Sequence, residues 1–245
     1  MTDLTFGSLF SGIGGIDLGL ERAGWKCRWQ IESDPNRSAI LARHWPHVPR
    51  YGKIEEVDFE QLEPVELIAG GFPCQPVSSA GKRQVQRDER WLWPHFARAI
   101  RTLRPGFAII ENVAGILFRG FGDLLTDLSD CRYDAEWQML PAAAFGAPHL
   151  RQRMWIVAYP LEWRLRAEVY VETGTPLIFR WKDVDRNRAN GGEPEHWRSE
   201  SPMVRMVDGF SNGMGRIVAA LGDAAIPQIP EFIGNLIICA KERTR

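Results

Sequence analysis

The sequence predicts an α/β domain, doubly wound, with a mostly parallel sheet covered by helices on both faces. Three observations predict it. Up to about residue 158, short apolar runs alternate with segments whose apolar residues recur at helical spacing. The chain is 44% hydrophobic and 25% charged over 245 residues, the balance of a folded protein with a sizeable core. The turns richest in glycine and in reactive side chains directly follow the apolar runs, which is where such a sheet binds ligands.

The elements follow in order. Residues 4–10, 26–32, 67–69, 107–110, 136–140 and 155–158 read as strands, and residues 16–23, 38–45, 96–103 and 123–128 as the helices between them. After Tyr159 the texture changes. Residues 160–205 carry eight basic and eight acidic residues, Trp163, Trp181, Trp197 and the turn Asn190-Gly191-Gly192, with no long helical pattern. This stretch reads as a small irregular lobe. Helical spacing returns at residues 217–221 and 232–240. The expected organisation is therefore one domain from residues 1–158 and 208–245, with the lobe at 159–207 between them.

Composition excludes several classes. Thirty Lys and Arg against 31 Asp and Glu rule out a uniformly basic coat and an acidic tail. The balance is uneven along the chain: residues 81–105 hold seven basic and two acidic side chains, whereas residues 1–80 hold seven and eleven. Cys27, Cys74, Cys131 and Cys239 lack metal-binding or disulfide-scaffold spacing, so no metal and a reducing compartment are expected. No run reaches the roughly 18 apolar residues of a membrane span, and the start lacks a signal-peptide layout. A cytoplasmic protein with no membrane partner is the expectation.

Four constellations carry chemistry. Phe10-Ser11-Gly12-Ile13-Gly14-Gly15-Ile16-Asp17 joins the first strand to a helix, and its glycines allow a ligand close to main-chain N–H groups. It is not the dinucleotide fingerprint, because Asp17 stands at the third glycine. A plain turn and a cofactor loop both remain open for it alone. Glu32, ending the second strand, is placed to accept hydrogen bonds from two ribose hydroxyls, or else is a solvated acid or cap before Pro35. Gly70-Gly71-Phe72-Pro73-Cys74-Gln75-Pro76 displays a thiol between two prolines at a strand end, as a nucleophile or as a buried cysteine. The other three cysteines read as packed, unreactive thiols. Glu111-Asn112-Val113 ends another strand with a carboxylate suited to acid/base work. Arg151-Gln152-Arg153 precedes the strand at 155–158, and two arginines one residue apart on an extended chain point the same way.

In this order, the four resemble the DNA cytosine-5 methyltransferases that use S-adenosylmethionine. The likeness covers essentially the whole chain outside residues 160–205. FSGIGGIDLGLE resembles the family's cofactor loop, GFPCQP its nucleophile loop, ENV its glutamate motif, RQR its arginine pair and the LGDAAIPQ of residues 221–228 its closing motif. The resemblance implies a Rossmann-like methyltransferase sheet with a small target-recognition lobe, acting as a monomer on double-stranded DNA in a restriction–modification setting.

It also implies roles. Cys74 attacks cytosine C6, protonated Glu111 donates to N3, Arg153 contacts O2, Arg151 holds the backbone or the Cys loop, and Asn112 orients that loop. S-adenosylmethionine is held by Phe10, Gly12, Ile13, Gly14, Gly15, Glu32, Pro73 and Asp223. The DNA, its target base flipped out, is met by Gln75, Ser78, Lys82, Arg83, Arg87 and Arg90; Arg98, Arg101 and Arg104 are read as a solvated helix face. Burial beside a desolvated ring is expected to raise the Glu111 pKa. Two positions depart from the family. Lys53 stands where an Asp contacts the adenine amino group, and Asp223 where an Asn closes on the cofactor, so weaker cofactor binding is expected. The rival readings are a catalytically impaired DNA-binding member of the same fold and an RNA cytosine-5 methyltransferase.

Overall fold

Thr5–Leu9, buried along its whole length, forms β1 at the centre of a seven-stranded sheet of order β3-β2-β1-β4-β5-β7-β6. The computed structural model describes residues 4–73, 91–118, 120–163 and 224–243. The other strands are β2 (Lys26–Ile31), β3 (Arg50–Tyr51), β4 (Leu67–Gly71), β5 (Phe107–Val113), β6 (Tyr133–Pro141) and β7 (Gln152–Pro160). The helices are α1 (Gly15–Arg22), α2 (Pro35–His44), α3 (Trp93–Leu103), α4 (Phe121–Asp130) and α5 (Gln228–Arg243).

Strands β1 to β5 are parallel, joined by crossovers. Strand β7 is antiparallel to both of its neighbours. The reason is local: β6 and β7 are joined by a short connection, and a short connection between paired strands returns the chain antiparallel. This exception matters for function. An antiparallel strand brings its first residues to the edge where its parallel neighbours end, so the start of β7 lies beside the end of β5.

Each face of the sheet is covered. On one, Trp29, Ile68 and Ile110 pack against Trp93, Phe96 and Ile100 of α3 and Leu124 and Leu128 of α4. On the other, Phe6, Leu67, Ile109 and Tyr159 pack with Leu20 of α1 and with Ile229, Ile233 and Ile237 of α5. Helix α5 thus returns the end of the described chain to the first helix. Arg22 pairs with Glu231 at 3.9 Å, and Trp25 Nε1 donates to the Gly234 carbonyl at 3.3 Å. A buried Ile side chain contributes about 1.5–3 kcal/mol by leaving water, so three of them anchor α5.

The structure moves several boundaries. Phe10 leaves β1 with φ +53°. β3 is two residues long, too short for an apolar run to reveal. Helix α2 starts at Pro35 because Asp34 caps it, its carboxylate accepting from the N–H groups of Asn36 and Arg37 at 2.8 and 3.0 Å. The arginines of α3 are not one solvated face. The Arg98 guanidinium donates to the Ile54 and Val57 carbonyls and lies over the Phe59 ring, and Arg104 donates to the Cys131 carbonyl and lies over Tyr133. Their planar forks satisfy loop carbonyls that helix and sheet leave unpaired. Cys131 is buried, but Cys239 is exposed, because the expected helix at 232–240 turns that position away from the sheet. No described helix is long and apolar enough to cross a membrane. The lobe at 159–207, beyond its first residues, and the helix read at 217–221 lie outside the described residues.

Candidate active site

The glycine loop begins where β1 stops. Gly14 caps α1 at φ +88°, a conformation that glycine adopts freely, and donates to the Ser11 carbonyl at 2.9 Å to close the turn. Ser11 N–H bonds the Ile31 carbonyl of β2 at 3.0 Å. A side chain at Gly15 would overlap the carbonyl of Ala225, so the returning chain lies directly against this loop.

Glu32 completes the loop from the second strand. One carboxylate oxygen accepts the Gly12 N–H at 2.7 Å and the other the Asp34 N–H at 2.8 Å. It is buried, and burial pushes its carboxyl above the usual range against the pull of those two N–H bonds. Of the two sequence readings, the solvated acid and the cap are set aside: Asp34 is the cap. Each Glu32 oxygen is left with a lone pair, so the carboxylate fits a pair of adjacent sugar hydroxyls.

The other end of the site is built by β4, β5 and β7. Glu111 is inside β5, opposite Gly71 of β4 and Trp155 of β7. A side chain at Gly71 would overlap the Glu111 carboxylate, so that glycine makes the space it occupies. The Arg153 Nε lies 3.0 Å from Glu111 Oε1, with both side chains mostly buried. Arg153 belongs to β7 itself, where it opposes Val113, and is not in a loop before it. Arg151 sits just ahead with φ +26°, so the two arginines are not neighbours on an extended chain. They reach the same cleft by a backbone turn. Asn112, buried, donates from Nδ2 to the Phe72 carbonyl at 3.2 Å and so holds the entry to the GFPCQP loop.

These parts line one cleft of about 470 Å³. By strand order, Glu32 after β2 and Phe10, Gly12, Ile13 and Gly15 after β1 stand toward one end, Glu111 of β5 and Arg153 of β7 toward the other, and Phe72 and Pro73 after β4 between them, while Arg151 also borders the glycine loop. Gly14 faces a second, more apolar cleft behind the loop, with Trp45, Ile226 and Pro227. Lys53 lines the main cleft while pairing with Glu56 at 3.9 Å on the surface. Asp58 does not stand in for the missing acid, since its carboxylate caps the turn at Phe59–Gln61. Cys74, Gln75, Ser78, Lys82, Arg83, Arg87, Arg90 and Asp223 lie outside the described residues; Pro73 and Ala224, their chain neighbours, both line the cleft. No group of three or more His, Cys, Asp or Glu side chains that could hold a metal occurs among the described residues.

Sequence reasoning missed Asp17 as part of this site's support. Ser8 and Gln30, opposite each other on β1 and β2, bond its buried carboxylate. The available signal was a polar residue, Ser8 or Gln30, set among apolar residues near the end of each of the first two strands.

The family model of C-5 cytosine-specific DNA methylases matches residues 4–184. The chain belongs to that family. Among curated relatives, the Type II methyltransferase M.NaeI of Lentzea aerocolonigenes is 36% identical over 64% of this chain and 40% of its own length. The Type II methyltransferase M.NgoMIV of Neisseria gonorrhoeae is 34% identical over 62% of this chain and 51% of its own. The chain spans about half or less of the length of these relatives. A solved structure described as a prophage-encoded DNA modification methyltransferase of Escherichia coli is similar at TM-score 0.55 and 25% identity, over 70% of this chain and 49% of that one. The Dnmt2 methyltransferase of S. pombe, at TM-score 0.52 and 19% identity over 65% of this chain and 50% of its own, shares the fold.

Proposed function

We propose that the chain transfers a methyl group from S-adenosylmethionine to C5 of a cytosine flipped out of double-stranded DNA. The observation that carries this is the single cleft, which puts a carboxylate fit for a sugar diol at one end and a carboxylate–guanidinium pair at the other. S-adenosylmethionine, when bound, supplies an electrophilic methyl group, which cytosine C5 takes up only once electrons have been added to its ring.

The residues divide the work. Glu32 accepts the ribose hydroxyls, the backbone of Gly12, Ile13 and Gly15 comes close to the cofactor, Phe10 packs against its flat parts, and Pro73 and Asp223 close on it. Cys74 thiolate forms the bond to C6. As negative charge grows on the ring, Glu111 passes a proton to N3 and Arg153 donates to O2. C5 would then take the methyl group, a solvent water would accept the C5 proton, and N3 would return its proton to Glu111 as the ring expels the Cys74 thiolate.

The Glu111–Arg153 pair gives this scheme a requirement. A guanidinium at 3.0 Å favours the charged carboxylate, whereas donation to N3 needs the neutral acid. Arg153 therefore transfers part of its bonding from Glu111 to the cytosine O2 as the base enters, which frees Glu111 to hold a proton. Arg151 steadies the Cys74 loop from its bent position. Gln75, Ser78, Lys82, Arg83, Arg87 and Arg90 meet the DNA backbone and offset the few kcal/mol that flipping a base costs. Target choice falls to the short stretch at 159–207.

Labelled-methyl transfer to DNA and to RNA, with Cys74→Ser in parallel, tests the reading. Transfer to DNA that Cys74→Ser abolishes is expected. Absence of transfer to either polymer at saturating cofactor overturns it, and transfer to RNA alone reassigns the substrate.

A further inference from the structure

Beneath the glycine loop, outside the cleft, Asp17 is completely buried in the first turn of α1. Its Oδ2 accepts from Ser8 Oγ of β1 at 2.9 Å and its Oδ1 from Gln30 Nε2 of β2 at 2.8 Å. No cation bonds it. The ionisable groups that face it are Glu21, one turn on in α1, and the Cys27 thiol of β2, with Sγ 4.0 Å from Oδ1. On α5, which packs on α1, Lys241 is held by Glu66, and Glu231 is held by Arg22 of α1. A carboxylate buried among neutral donors, Ser8, Gln30 and the weak Cys27 thiol, with no counter-charge among the described residues, costs stability. A fold that needed only packing there has no use for it.

The network leads to the loop by two arms. The Ser8 carbonyl accepts from Ser11 Oγ at 3.3 Å. Gln30 directly precedes Ile31, whose carbonyl takes the Ser11 N–H, and Glu32, whose carboxylate takes the Gly12 N–H. The Gln30 Oε1 is buried with no hydrogen-bond partner among the described residues. That idle acceptor offers an alternative arrangement: when Asp17 takes up a proton from solvent, its hydroxyl donates to Gln30 Oε1 after the amide turns over, and Nε2 gives up its bond to Asp17.

We propose that Asp17 is a positioning residue for the glycine loop: charged, it holds Ser8 and Gln30 so that the loop binds cofactor, and protonated, it releases that arrangement. This rests on the cofactor reading above for the ligand that senses the loop. Burial, the dominant cause, pushes the Asp17 carboxyl up to about 6, which places the exchange near neutral pH.

The test uses the full chain, wild type and Asp17→Asn, from pH 5 to pH 8. Binding of S-adenosylmethionine is followed by calorimetry, unfolding by urea, and the loop amides of residues 12–15 by hydrogen exchange without cofactor. Wild-type affinity is expected to fall about tenfold from pH 7.5 to pH 5, and loop protection to fall with it. Asp17→Asn is expected to bind weakly at pH 7.5, to lack that fall, and to resist urea at least as well as wild type. The proposal is overturned if Asp17→Asn binds like wild type and keeps its pH profile, or if it binds weakly only because it has lost resistance to urea. If neither protein binds cofactor at any pH, the cofactor reading fails by itself. Loop protection then decides: a pH-dependent loss in wild type but not in Asp17→Asn supports the positioning role, and identical exchange in both removes it.

Discussion

The two ends of the cleft are built on different principles. At the glycine-loop end the contacts come from the main chain: Gly12 and Asp34 N–H groups on Glu32, Gly14 on the Ser11 carbonyl, Ser11 on the Ile31 carbonyl. At the other end they come from side chains on two neighbouring strands, with Arg153 on Glu111 at 3.0 Å and Asn112 on the Phe72 carbonyl. A backbone cradle is preset and changes little when a ligand arrives. An ion pair is exchangeable, and an incoming base can take one partner from the other. The difference teaches that binding and chemistry are separable here, so substitutions at one end should leave the other largely intact.

The widest separation is expected from Glu111→Gln. It should lower methyl transfer by about 10²–10⁴-fold, the usual worth of a positioned proton donor, while calorimetry finds cofactor affinity nearly unchanged. A comparable loss of affinity breaks the comparison. Next is a pH effect on the cradle's foundation. Asp17, with its carboxyl raised from 3.8 to about 6, is protonated more readily folded than unfolded. Its contribution to stability is full below about pH 4 and is lost as pH rises through about 6, on the order of 3 kcal/mol. Urea unfolding of wild type and Asp17→Asn across that window checks the sign: the variant should lack this loss.

Smaller effects sharpen the picture. Glu32→Ala leaves two N–H groups without their acceptor and removes the sugar contact, so affinity for cofactor should fall by about 1.5–3 kcal/mol. Transfer at saturating cofactor should fall much less. Arg98→Ala frees the Ile54 and Val57 carbonyls beneath the Lys53 wall of the cleft. It should cost about 1–2 kcal/mol of stability, with a modest rise in the cofactor KM and no change in the rate at saturation.

Much of both ends was legible in the residues. Glycines after an apolar run, Glu32 ending the next run and Glu111 in a third mark local chemistry that needs no knowledge of the rest of the chain. The Arg pair shows where such reading stops. Arg151 and Arg153 were expected to share a side because an extended chain alternates, yet Arg151 is at φ +26° and Arg153 is already within β7. Arg98 and Arg104 read as solvated by helical spacing, but the carbonyls they satisfy belong to loops about 44 residues before Arg98 and 27 after Arg104. Distant partners of this kind leave no mark in periodicity.

By itself the sequence determined the strand-and-helix alternation and the two-faced burial, and it nominated the residues for the chemistry, since each depends on composition and spacing over a few neighbours. Only the tertiary structure decided that β7 runs against β5, and with it that Arg153 meets Glu111, because that contact depends on strand order and not on local pattern. It also decided that Ser8, Asp17 and Gln30 form one network. Each is an ordinary polar residue alone, and a buried charge arises only where β1, β2 and α1 close over it.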